Sequence, residues 1–158
     1  MKRFIYLFIV AAGCCIGCTT PTESLNTTAA IVPGKELQEN PLLQYVISSA
    51  INVHQQTMST LYGNAKAYEY AKGHGDGKYP QGAVLYEVTW HQQNDPTWFG
   101  AKIPGKPAQV TVVKFTDDAQ HQIQAAVYTG APLHLQKTIA ADAPQVQQLL
   151  KTPIAVSP

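Results

Sequence analysis

From Ala83 onward the chain alternates with a period of two, and this pattern constrains the fold more than any other feature. Val84, Tyr86, Val88 and Trp90 fall on one side of an extended segment, while Leu85, Glu87, Thr89 and His91 fall on the other. Residues 109–116 and 121–128 read as a second and a third strand, joined through Asp117-Asp118 as a hairpin turn. Before this region the period lengthens. Asn40-Pro41 offers an N-cap followed by proline at the first helical position, and Leu42, Leu43, Val46, Ile47, Ala50 and Ile51 recur at helical spacing. That spacing predicts an amphipathic helix of about three turns whose apolar stripe packs on the core. A second helix is predicted over 64–72, with Asn64 as its cap, Ala65, Tyr68 and Ala71 near one face, and Gly73 ending it. A last short helix runs from Asp142, as cap, to Lys151 and buries Val146, Leu149 and Leu150. The sum is an α+β domain, a mainly antiparallel sheet with flanking helices.

Two connections stand out. Gly73-His74-Gly75-Asp76-Gly77-Lys78 has the glycines of a phosphate cradle and two potential metal ligands, but Tyr79-Pro80 follows where a Walker-type loop needs Ser or Thr opening a helix. A plain glycine loop between helix and strand is the better reading. Residues 94–107 form a longer connection, which contains Pro96, Gly100, Pro104, Gly105 and Pro107 and carries Trp98-Phe99. Unpatterned stretches of this length are commonly functional or tightly packed loops.

The N-terminus is an address. Lys2 and Arg3 precede nine apolar residues, Phe4 to Ala12, and small residues with cysteines follow through Cys18. That is the layout of a secretory signal, and the apolar run is far short of the ~20 residues that span a bilayer. Residues 1–18 therefore read as a lipoprotein signal peptide, with Cys18 as the acylated residue and Cys14 as the alternative. Residues 19–39, rich in Thr, Ser, Asn and Pro, read as a flexible tether, and 40–158 as the domain. Thr19, rather than aspartate, follows Cys18, so in a Gram-negative host the expected location is the outer membrane, with the domain in the periplasm or at the cell surface.

Cleavage at Cys18 removes every other cysteine, which excludes disulfides, zinc-thiolate sites, cysteine nucleophiles and C-x-x-C-H haem attachment. It also removes Arg3, the sole arginine, and leaves nine lysines against ten acidic residues. With no guanidinium fork and no basic block, nucleic acid is not an expected partner.

Four segments carry a family resemblance: residues 57–64 (Thr-Met-Ser-Thr-Leu-Tyr-Gly-Asn), 79–85 (Tyr-Pro-Gln-Gly-Ala-Val-Leu), 88–90 (Val-Thr-Trp) and 98–105 (Trp-Phe-Gly-Ala-Lys-Ile-Pro-Gly). Together they resemble the bacterial cytochrome P-460 family, and within it a secreted and lipoprotein branch, over about residues 47–130. The resemblance implies a mainly antiparallel β domain with flanking helices. It also implies haem, since the family's pigment members oxidise hydroxylamine or bind small nitrogen oxides on haem attached through a C-terminal C-x-x-C-H motif and cross-linked to a lysine. This chain departs from that pattern: no cysteine follows Cys18, so neither the haem ligand nor the cross-linking lysine carries over.

Noncovalent haem would need one axial histidine and an apolar pocket. His54, His74, His91, His121 and His134 are the candidates, and each reads more simply as a surface or structural histidine. The candidate ligand pocket is Trp90, His91, Trp98, Phe99 and Lys102, although large aromatics equally build ordinary cores. There is no G-x-S-x-G elbow, no H-E-x-x-H helix and no catalytic group that the residue pattern assigns. Glu87 and His91 share a strand face but stand four residues, about 13 Å, apart. The expected function is thus a lipid-anchored envelope domain that binds a small ligand or an envelope protein, with no cofactor predicted. The alternative is a redox enzyme acting on small nitrogen compounds through noncovalent haem or a metal.

Overall fold

The computed structural model describes residues 26–73, 76–116 and 123–155. The signal peptide, residues 19–25 of the tether, His74, His121 and the Asp117-Asp118 turn lie outside them. The fold is a six-stranded antiparallel sheet in the order β1-β2-β3-β4-β5-β6, a meander in which every strand pairs with its sequence neighbour. The strands are β1 (Tyr45–Asn52), β2 (Thr57–Gly63), β3 (Val84–Asn94), β4 (Lys102–Phe115), β5 (Ile123–Thr129) and β6 (His134–Ile139). Helix α1 (Ala65–Gly73) joins β2 to β3, and α2 (Pro144–Leu150) follows β6. The α+β reading holds.

The alternation in β3 sorts residues as expected. Tyr86, Val88 and Trp90 enter one core cluster with Tyr62, Val110, Val112 and Tyr128. Leu85, on the opposite side, enters another with Leu61, Val113 and Ala125, closed by Ala67 and Ala71 of α1 and Val146, Leu149 and Leu150 of α2. Asn64 caps α1 as expected: its side-chain oxygen accepts from Ala67 N at 3.0 Å, and its carbonyl accepts from Tyr68 N at 2.9 Å.

Four expectations need correction. The helix expected from Asn40 is only a 3-10 turn, Pro41–Leu43, although Asn40 does accept from Leu42 N at 3.0 Å. The chain then extends into β1, where β-branched Val46, Ile47 and Ile51 favour a strand. A bulge between Val46 and Ser48 breaks the two-residue period there, which lets the apolar positions mimic helical spacing. The long connection is also shorter than expected, because β4 begins at Lys102. Its prolines 104 and 107 sit where β4 pairs only with β3, since pairing with β5 starts at Val110, so no second neighbour needs their missing N–H. Helix α2 starts at Pro144 rather than behind Asp142. Ala143 occupies the N-cap without a side-chain bond, and proline sets the first turn.

The fourth correction concerns the tether. Residues 26–39 are a strap laid across the Trp90 face, with Ile31 and Leu37 buried. Trp90 Nε1 donates to Ala29 O at 2.9 Å, Leu133 N donates to Val32 O at 2.9 Å, and the Tyr86 hydroxyl donates to Glu39. Low apolar density hid this packing, because the strap is seated by two buried aliphatic side chains and by hydrogen bonds rather than by an apolar stripe. The tail returns as well: Ala155 N donates to Ile47 O at 2.8 Å and covers part of the β1 edge.

Candidate functional site

Both helices sit over one end of the sheet and leave the rest of that face open. The uncovered part forms a cavity of about 700 Å³. Pairing explains its polar floor: Ser59 lies opposite Thr89 and Leu61 opposite Glu87, and on the other side Thr89 lies opposite Gln109. Paired residues share a face, so the helix-facing side of β2, β3 and β4 presents Thr57, Ser59, Glu87, Thr89 and Gln109 to the cavity. Ser48, Ala50 and Asn52 of β1 form one wall, His54 stands on the β1–β2 turn, and Gln145, Gln148 and Thr152 close the helical end.

Glu87 is the only carboxylate and the only fully charged group among the described residues lining this cavity; no lysine or arginine lines it. No hydrogen bond or ion pair joins its carboxyl to another described residue. Burial pushes its pKa above the usual carboxylate range. The sign follows from proton binding. The folded state holds the Glu87 proton more tightly than the unfolded chain, so stability is greatest below the unfolded pKa and falls as pH rises through the folded pKa. Glu87→Gln removes that penalty. Its melting temperature should exceed that of the parent at neutral pH and converge with it in acid, measured by thermal melts across pH.

The five residues expected to form a pocket are not brought together. Trp90 is 4% exposed and points into the strap-covered core. His91 follows it on the strand, so the pleat turns it to the opposite face, where it is exposed and does not line the cavity. Trp98 and Phe99 protrude from the β3–β4 turn, 71% and 108% exposed. Lys102 is exposed at the start of β4, where its Nζ donates to Asn94 Oδ1. The sequence reading named Glu87 only as a distant companion of His91 and missed Thr57, Ser59, Gln109 and Gln148. The available signal was the polar half of the alternation in β2 and β3, on strands whose opposite faces are apolar.

The cavity residues do not match a haem site. Its floor is hydroxyl, amide and carboxylate, and its one histidine stands on an exposed turn. Among the described residues no three His, Cys, Asp or Glu side chains cluster as metal ligands. No helix among them is long and apolar enough to cross a membrane. A family model described as Cytochrome P460 matches residues 42–130. No curated protein matches the chain.

Proposed function

The chain belongs to the cytochrome P460 family, and from that premise we propose that it is a lipid-anchored bacterial envelope protein whose domain binds a small ligand without covalently attached haem. The observation that carries this reading is the cavity with Glu87 on its floor. Among the described residues this carboxylate stands alone in the cavity, beside hydroxyl and amide groups and opposed by no lysine or arginine, an arrangement that attracts a small ligand with a cationic or hydrogen-bond-donating head. Binding of such a head offsets the desolvation that disfavours the charged form of Glu87, and the same burial strengthens the attraction between the pair. Cys18, or Cys14 in its place, carries the lipid, and Thr19 after it directs the protein to the outer membrane. An envelope protein would be the partner if the cavity takes a side chain rather than a free molecule. The binding reading assigns no catalytic residue.

The competing reading is a redox enzyme of small nitrogen compounds that uses noncovalent haem or a metal. It would have to recruit His54, the histidine lining the cavity. An absorption spectrum of the protein made in a haem-sufficient periplasm, and again after haem addition, separates the two. The expected result is a colourless protein with no stoichiometric Soret band. A stoichiometric band abolished by His54→Ala or His91→Ala would establish the redox reading instead.

A further inference from the structure

The sheet carries its most exposed aromatic residues at one end. Trp98 and Phe99 occupy the turn between β3 and β4, and the turn is built rather than slack. Asp95 Oδ1 accepts from the backbone N–H groups of Thr97 and Trp98 at 2.7 and 3.1 Å, Asp95 N donates to Ala101 O at 3.0 Å, and Ala101 N donates to Trp98 O at 3.1 Å. Gly100 takes the left-handed conformation, φ +81°, that closes it. These backbone bonds hold two large apolar side chains out in water. Val53, 76% exposed on the β1–β2 turn, lies at the same end of the sheet. Exposed apolar groups gathered on projecting tips mark a contact surface.

A second observation says what the contact is. The described chain begins at Asn26, whose side chain donates to Pro104 O at 2.6 Å. Pro104 pairs with Gln92, only two residue pairs from the end of the hairpin at Asn94 and Lys102. The segment leading back to Cys18 therefore departs from this same end, and its eight residue steps reach about 29 Å at full extension. A lipid on Cys18 would hold the Trp98 end of the sheet closest to the bilayer. Trp is suited to the headgroup region, where its ring is apolar and its N–H finds polar partners. Lys102 beside the turn adds a cation facing anionic headgroups.

We propose that the β3–β4 hairpin tip, Trp98 with Phe99, seats in the surface of the lipid bilayer as a second point of membrane attachment. The geometry of this inference rests on the lipid-anchor reading given above. The test uses the processed full-length protein reconstituted into phosphatidylethanolamine and phosphatidylglycerol vesicles, with and without brominated acyl chains. The chain has two tryptophans, and buried Trp90 serves as the internal reference. The expected result is a blue-shifted Trp98 emission that brominated lipid quenches and that Trp98→Phe removes. Unchanged, unquenched Trp98 emission would overturn the proposal, as would a shift that depends on protein concentration without vesicles, which would assign the tip to a second copy. The N-terminal mass separates the two readings: an acylated but unquenched protein loses only the hairpin contact, whereas an unacylated yet quenched protein loses only the anchor.

Discussion

Trp90→Ala is expected to destabilise the domain by about 3–5 kcal/mol, in the range of fully truncated core aromatics. Trp90 is 4% exposed and packs in the cluster that joins the strap residues Ile31 and Leu37 to Val88 and Val110 of the sheet. Truncation leaves a cavity there and strips the Ala29 carbonyl of its indole donor. Both losses fall on the contact between strap and sheet, so the strap should become protease-sensitive before the rest of the domain unfolds. The check is the urea midpoint at unchanged slope, with Trp98→Ala as a comparison expected to stay within ~0.5 kcal/mol. A Trp90→Ala cost below ~1 kcal/mol would mean that the strap does not depend on the indole.

The second large effect is all-or-none. Cys18→Ala should abolish incorporation of radiolabelled palmitate and the associated mobility shift, because the lipid is attached through the Cys18 thiol and alanine offers no nucleophile in its place. Cys14→Ala should leave labelling intact. If Cys18→Ala still labels while Cys14→Ala does not, the anchor moves to Cys14. If the parent protein takes up no palmitate, the lipoprotein reading fails. Fractionation of the labelled protein should place it in the outer membrane, and a wholly inner-membrane location would contradict the expectation drawn from Thr19.

The core of the sheet was legible because a strand buried on both faces announces itself twice. Val84 to Trp90 carries apolar residues toward the strap, while Leu85 faces the helices. Edge strands give no such signal. Only Ile47 of the eight residues of β1 is buried, and β6 buries none. Their pairing is dictated by neighbours rather than by their own composition, so β1 reads as a helix and β6 goes unseen. The cavity was hidden for a related reason. It exists because α2, only seven residues long, stops short of the polar half of the sheet. Helix reach is a tertiary property that strand alternation does not encode. The aromatic pocket failed on the pleat: adjacency in sequence groups Trp90 with His91, and extended backbone sends them to opposite faces.

The central claim is that the sheet-face cavity binds a small donor-bearing ligand through Glu87, and an NMR titration with methylammonium and ethanolammonium ions tests it most directly. The account predicts saturable shifts of the Thr57, Ser59, Glu87, Thr89 and Gln109 amides. Glu87→Gln should weaken them about 10- to 100-fold, the worth of a hydrogen bond to a charged group. Shifts that never saturate, or that persist undiminished in Glu87→Gln, would contradict it.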